Sequence, residues 1–102
     1  MGRIVPVPSY IRAHADLIRS FVAEGGGQGT DLLFLMYAVL LRAKGAGVTA
    51  SDVHDVWSAW AESEGRSDDT VIPFDQLPRV IQAKDEVYVQ AIHRAAARMS
   101  IT

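Results

Sequence analysis

Asp52-Val-His-Asp-Val-Trp57 and Val71-Ile-Pro-Phe-Asp-Gln-Leu-Pro78, followed by Lys84-Asp85, are the segments whose reading decides the fold of this chain. In the first, His54 and Trp57 stand one helical turn apart, and Val53, Val56, Trp57 and Trp60 recur at spacings of three, four and seven. That is the stripe of an amphipathic helix, with His54, Asp55, Ser58 and Glu62 toward its other side. In the second, Pro73 pushes the residue before it out of the helical region, so Val71-Ile72 reads as a short extended anchor. Asp75 is placed to cap a short helical turn running through Gln76 to Ile81. Asp85 is placed to cap a last helix with Tyr88, Ala91, Ile92, Ala95 and Met99 on its inner stripe. Arg94 and Arg98 suit the carbonyl pole of that helix.

Working outward, Thr49-Ala-Ser-Asp52 is a capping-box variant that starts the His54 helix, and Gly65 ends it. Upstream, residues 32–41 are apolar on nearly every face, the pattern of a helix surrounded by other helices. Thr30 and Asp31 are its expected caps, and Gly45 and Gly47 its end. Gly25-Gly-Gly-Gln-Gly29 cannot sustain helix and reads as a loop. It is not a phosphate loop, because no Lys-Ser or Lys-Thr follows it and no strand pattern precedes it. Before it, Tyr10, His14, Leu17, Ile18 and Phe21 form the stripe of a first helix opened by Pro8-Ser9. The expectation is an all-α, single-domain bundle over residues 1–102, with four main helices and one short one. Residues 1–47 form its N-terminal helical hairpin and residues 48–102 a second helical unit.

With 102 residues, one core can be buried without metals or disulfides. The chain has no cysteine, which excludes thiolate chemistry and fits the reducing cytoplasm. A net charge of -2 lacks the positive field that drives binding to phosphate backbones, so nucleic acid is not the expected partner. The longest apolar run is about half of what spans a bilayer, and Arg42 and Lys44 close it, so no membrane segment is expected. Pro6 and Pro8 interrupt Ile4, Val5 and Val7, which argues against a secretory signal.

From Val48 to about Ala97 the chain resembles the RyR domain, the repeat of ryanodine receptors that is also found in bacterial and phage proteins. The resemblance rests on Val53-His54-x-x-Trp57, on Val71-Ile-Pro-Phe-Asp-Gln-Leu-Pro78 as an apolar pair followed by Pro, an aromatic, an acidic position and Leu, and on Asp85 opening the second helix. The linker between the two helices is shorter than in that repeat, and residues 1–47 have no counterpart in it. Over its full length the chain is also similar to a family of small actinobacterial and phage proteins in which such an apolar helix precedes a Val-Thr-Ala-x-Asp-Val-His segment. The RyR resemblance implies a helical hairpin packed through Trp57, Phe74 and Leu77. In larger relatives this serves as a docking surface, and in bacterial ones it is suggested to sense ligands. It implies no catalytic residue.

The residues themselves bound the chemistry. Trp57 can fill the core while His54 hydrogen-bonds the Pro73 loop; alternatively the pair can face a ligand carboxylate or phosphate. His14, His54 and His93 fall on three different helices without metal-ligand spacing. Asp52, Asp55, Asp75 and Asp85 read as caps and solvated charges rather than catalytic carboxylates. Residues 48–62 imitate a helix-turn-helix, but Asp52, Asp55, Glu62 and Glu64 would repel phosphates. Tyr37, Trp60 or Tyr88 could contribute to a homodimer interface. The sequence therefore points to a non-enzymatic binding module, without cofactor or metal, that docks a host protein. The contact residues would be His54, Trp57, Phe74, Asp75, Gln76 and Asp85. The alternatives are a sensor of a small nucleotide-like ligand and a helix-turn-helix-like DNA-binding regulator.

Overall fold

Four α-helices follow one another in a computed structural model of the chain: α1 (Ser9–Ser20), α2 (Asp31–Lys44), α3 (Ala50–Ser63) and α4 (Arg79–Arg98). Short 3-10 turns at Gly45–Gly47 and Phe74–Gln76 interrupt the connections. The structure describes residues 9–22, 30–66 and 70–99, and no strand occurs among them. The proline-interrupted segment before residue 9 and the glycine run at 25–29 lie outside the described residues. The all-α, four-helix expectation holds.

α2 is the helix the others gather around, since α1, α3 and α4 all pack on it. Leu33, Phe34, Tyr37, Ala38 and Leu41 supply its buried face. With Ile18 of α1, Val53 of α3 and Ile92 of α4, they form the centre of the core. Fully burying side chains of this size stabilises by about 1.5–3 kcal/mol each. The expectation of an α2 covered on every side is only partly met, because Leu32 and Val39 are 48% and 57% exposed on its outer stripe. Tyr37 is fully buried, so it cannot belong to a surface between copies of the chain.

At the start of α2, Thr30 occupies the cap position but makes no capping hydrogen bond. Arg19 of α1 instead ties the two helices together: its guanidinium donates to Asp31 at 3.0 Å and lies 4.4 Å from the centre of the Phe34 ring. α3 starts as its sequence predicts. The Thr49 hydroxyl accepts from the Asp52 amide at 3.2 Å, and the Asp52 carboxylate accepts from the Thr49 amide at 3.0 Å. Lys44, at the end of α2, donates to both oxygens of Asp52 at 2.9 and 3.0 Å. One carboxylate thus joins the two helices.

α3 ends in a Schellman turn. The Gly65 amide donates to Glu62 at 3.0 Å and the Arg66 amide reaches back to Ala61 at 2.9 Å, with Gly65 at φ 77°. The left-handed conformation explains the glycine, since it forces a Cβ toward the following carbonyl.

The last helix begins earlier than Asp85. Pro78 supplies its first carbonyl, which accepts from Ile81 and Gln82 at 3.0 Å each, so residues 79–98 form one continuous helix. The short helix expected from Asp75 to Ile81 is replaced by the 3-10 turn Phe74–Gln76 and this first turn of α4. The Gln82 side-chain amide donates to the carbonyls of Phe74 and Leu77 at 3.0 and 3.1 Å, clasping the turn onto the helix. Further along α4, His93 donates to the Val48 carbonyl at 2.8 Å and holds the α2–α3 connection against it.

Candidate functional site

Because α4 starts at Arg79, Asp85 lies well inside it and is 8% exposed; it is neither a helix cap nor a solvated charge. Its neighbour across the helix interface is His54 of α3, which is 2% exposed rather than facing outward as the periodicity suggested. His54 Nδ1 lies 3.2 Å from Asp85 Oδ2, while His54 Nε2 lies 2.7 Å from the Ile72 carbonyl. A carbonyl can only accept, so Nε2 carries a hydrogen; this protonation is assigned from the network. Nδ1 then faces the carboxyl, and two bare lone pairs at that distance out of water would repel. One proton must therefore be shared between Nδ1 and Oδ2, although the alignment falls short of a good hydrogen bond. Burial raises the Asp85 carboxyl above the usual carboxylate range, and the adjacent imidazole opposes that rise.

Ser58 Oγ lies 3.3 Å from His54 Nε2, so Asp85, His54 and Ser58 have the connectivity of a catalytic triad. The chemistry does not follow. Nε2 is committed as a donor to Ile72 and offers no lone pair to take the Ser58 proton.

Around this pair the protein forms a cleft of about 380 Å³ between α2, α3 and α4. α4 lines it with Ile81, Lys84, Asp85 and Tyr88, which share one helix face at spacings of three, four and seven. α3 contributes His54, Trp57 and Trp60, and the start of α2 contributes Thr30 and Leu33. Arg66 and Thr70 close the rim from the α3–α4 connection. The Trp57 ring is stacked at 5.6 Å and 19° on His54, and the Arg66 guanidinium lies 5.1 Å from its centre. The Schellman turn is what brings Arg66 back over that ring.

Among the described residues no carboxylate lies within ion-pair distance of Lys84, so its ammonium stands unpaired on the cleft wall. The Trp60 indole N–H is buried in the same wall without a partner among the described residues. Tyr37 Oη, in the core beside Tyr88, is also unpartnered among the described residues, and burial first, then Tyr88 and Asp85, push its phenol far above the ordinary range. No group of three or more His, Asp or Glu side chains suited to a metal occurs among the described residues.

A family model described as Domain of unknown function (DUF7701) matches residues 9–97. The chain belongs to this family. No curated protein and no solved structure matches it significantly. The DUF7701 match runs from the start of α1 to the penultimate residue of α4, so the whole cleft falls inside it.

Of the six contact residues expected from the sequence, the DUF7701 structure brings His54, Trp57 and Asp85 together in the cleft. Phe74 sits behind them, its ring centre 6.3 Å from that of His54. Asp75 and Gln76 are exposed on the outside of the 3-10 turn and do not line the cleft. Lys84, Tyr88, Trp60 and Arg66 are cleft residues that the sequence reading did not select. The helical spacing of Ile81, Lys84, Asp85 and Tyr88 was the available signal. It becomes visible only when the helix is started at Pro78.

Proposed function

We propose that this DUF7701 domain is a non-enzymatic ligand-binding module whose cleft between α2, α3 and α4 takes a small aromatic anion of the nucleotide class. The observation that carries this reading is the unpaired Lys84 ammonium beside aromatic walls in a cavity of about 380 Å³. Small-molecule sites are concave, largely apolar, and fall between about 300 and 1,000 Å³ with a few placed polar groups. Here Trp57, Trp60 and Tyr88 supply apolar surface for a ring, and Lys84 supplies charge for a phosphate. The sensing role suggested for bacterial RyR-like repeats agrees with this choice. The cysteine-free sequence agrees with a cytoplasmic protein, and among the described residues no helix is long and apolar enough to cross a membrane.

Docking of a host protein by a phage or actinobacterial module is the second reading. It is supported by Asp75, Gln76 and Val80, which are exposed together where the 3-10 turn meets α4. The helix-turn-helix reading has less support, because the exposed side of α3 presents Asp55 and Glu62 and no Lys or Arg.

The test is a thermal-shift series with a nucleotide library on the intact chain and on Lys84→Ala. A ligand at about 100 times its dissociation constant stabilises by about 2.7 kcal/mol. A saturable shift that Lys84→Ala weakens is expected. A well-folded protein that responds to no nucleotide would turn the argument to the docking surface.

A further inference from the structure

The two oxygens of Asp85 are not equivalent. Oδ2 is sealed against His54, whereas Oδ1 has no hydrogen-bond partner among the described residues and keeps the side chain's remaining access to the cleft. The proton shared with His54 lies on the Oδ2 side. Whichever of Nδ1 and Oδ2 holds it, Oδ1 carries none and presents only lone pairs to the cleft. A residue only 8% exposed thus presents a single, fixed acceptor on the wall of a site that also holds a cation.

We propose that Asp85 Oδ1 selects ligands bearing an exocyclic amino group, so that the cleft takes amino-substituted heterocyclic nucleotides, of adenine or cytosine type, over their oxo counterparts. This rests on the reading of the cleft as a nucleotide site. An amino group donates to Oδ1. An oxo group at the same position sets acceptor against acceptor and leaves a buried carboxylate oxygen unsolvated. Guanine-type faces are disfavoured for a second reason. Their two parallel N–H donors call for both oxygens of a carboxylate, and Oδ2 already belongs to His54. Lys84 and Asp85 are consecutive on α4, so their side chains diverge by about 100° around the helix axis. The phosphate and amino ends of one ligand can therefore be held apart.

The experiment is calorimetric titration of the intact chain with adenosine, inosine, cytidine and uridine monophosphates. Adenosine and cytidine monophosphates should bind about tenfold or more tighter than inosine and uridine monophosphates. Asp85→Asn should keep that order, because its amide nitrogen can donate to His54 Nδ1 while its oxygen faces the cleft. Asp85→Leu should abolish it. Should Asp85→Leu fail to fold, the His54 imidazole nitrogen signals of the unmodified protein serve instead, and they should move with adenosine but not inosine monophosphate. Equal affinity within each amino and oxo pair overturns the selection by Asp85 and leaves the nucleotide site standing. Absence of binding by all four overturns both.

Discussion

His54 of α3 and Asp85 of α4 meet with Nδ1 and Oδ2 3.2 Å apart, and the far nitrogen of the same imidazole holds the Ile72 carbonyl at 2.7 Å. One ring therefore ties two helices and the α3–α4 connection together. Removing one partner of a buried polar pair leaves the other uncompensated, at a cost of about 1–3 kcal/mol. Asp85→Ala and His54→Ala should each approach that loss in urea unfolding. The double variant should lose clearly less than the sum of the two, whereas additive losses would mean that the residues do not act as a pair.

Gly65 offers a loss of a different origin. A Cβ there would meet nothing within 4 Å, yet φ is 77°. Gly65→Ala should therefore cost about 1–2 kcal/mol through backbone conformation alone. Gly47→Ala, also in open space but without positive φ, should stay within about 0.5 kcal/mol of the parent. Equal midpoints for the two variants would contradict the Schellman assignment.

Asp52 and His14 each lower stability as pH falls, while the raised Asp85 carboxyl acts in the opposite sense. Burial raises the Asp52 carboxyl, but hydrogen bonds from the Thr49 amide, Lys44 and the Thr49 hydroxyl outweigh it and bring the group below its ordinary value. A depressed carboxylate contributes stability that is complete above the unfolded value of about 3.9 and is lost as pH falls through the folded one. His14 is lowered by burial and then by Arg42, so its contribution is complete above about 6.5 and declines as pH falls below that. Melting temperature measured from pH 8 to pH 3 should fall in two stages. His14→Phe should remove the first stage and Asp52→Asn the second; an unchanged profile in either variant would reject that assignment.

Self-association, where it occurs, is expected through the exposed stripe of α2 rather than through its buried Tyr37. Leu32 and Val39 lie seven residues apart on one exposed stripe, and a charge at the second position would disrupt an apolar contact. Sedimentation should find Val39→Asp monomeric. A dimer unaffected by that change would place the interface elsewhere.

Local chemistry made α3 legible: the Thr49–Asp52 box starts it, and a glycine that tolerates positive φ ends it. Periodicity alone placed the core positions Ala91, Ile92 and Ala95 of α4, whereas the all-round apolar reading of α2 missed its exposed stripe of Leu32 and Val39. The sequence offered His54 and Asp85 as contact residues and His54 as a hydrogen-bond partner of the Pro73 loop, which the Ile72 contact bears out; what could not be read was that the two residues are buried against each other. Asp85 resembles a cap in its own neighbourhood, and His54 falls on the polar side of its helix, but the two are buried against each other. That partnership has no local signature. The error at Asp85 then hid the helix face carrying Lys84 and Tyr88.

Both amide hydrogens of Gln82 are engaged by carbonyls of the preceding turn, Phe74 and Leu77. The turn cannot lift without freeing the Gln82 side chain from α4, and the first coil of that helix cannot fray without releasing the turn. Residues 74–82 thus form one cooperative opening unit. Hydrogen exchange across it should be governed by a shared equilibrium, and a protease that cuts between Pro73 and Pro78 should encounter the whole unit open or none of it.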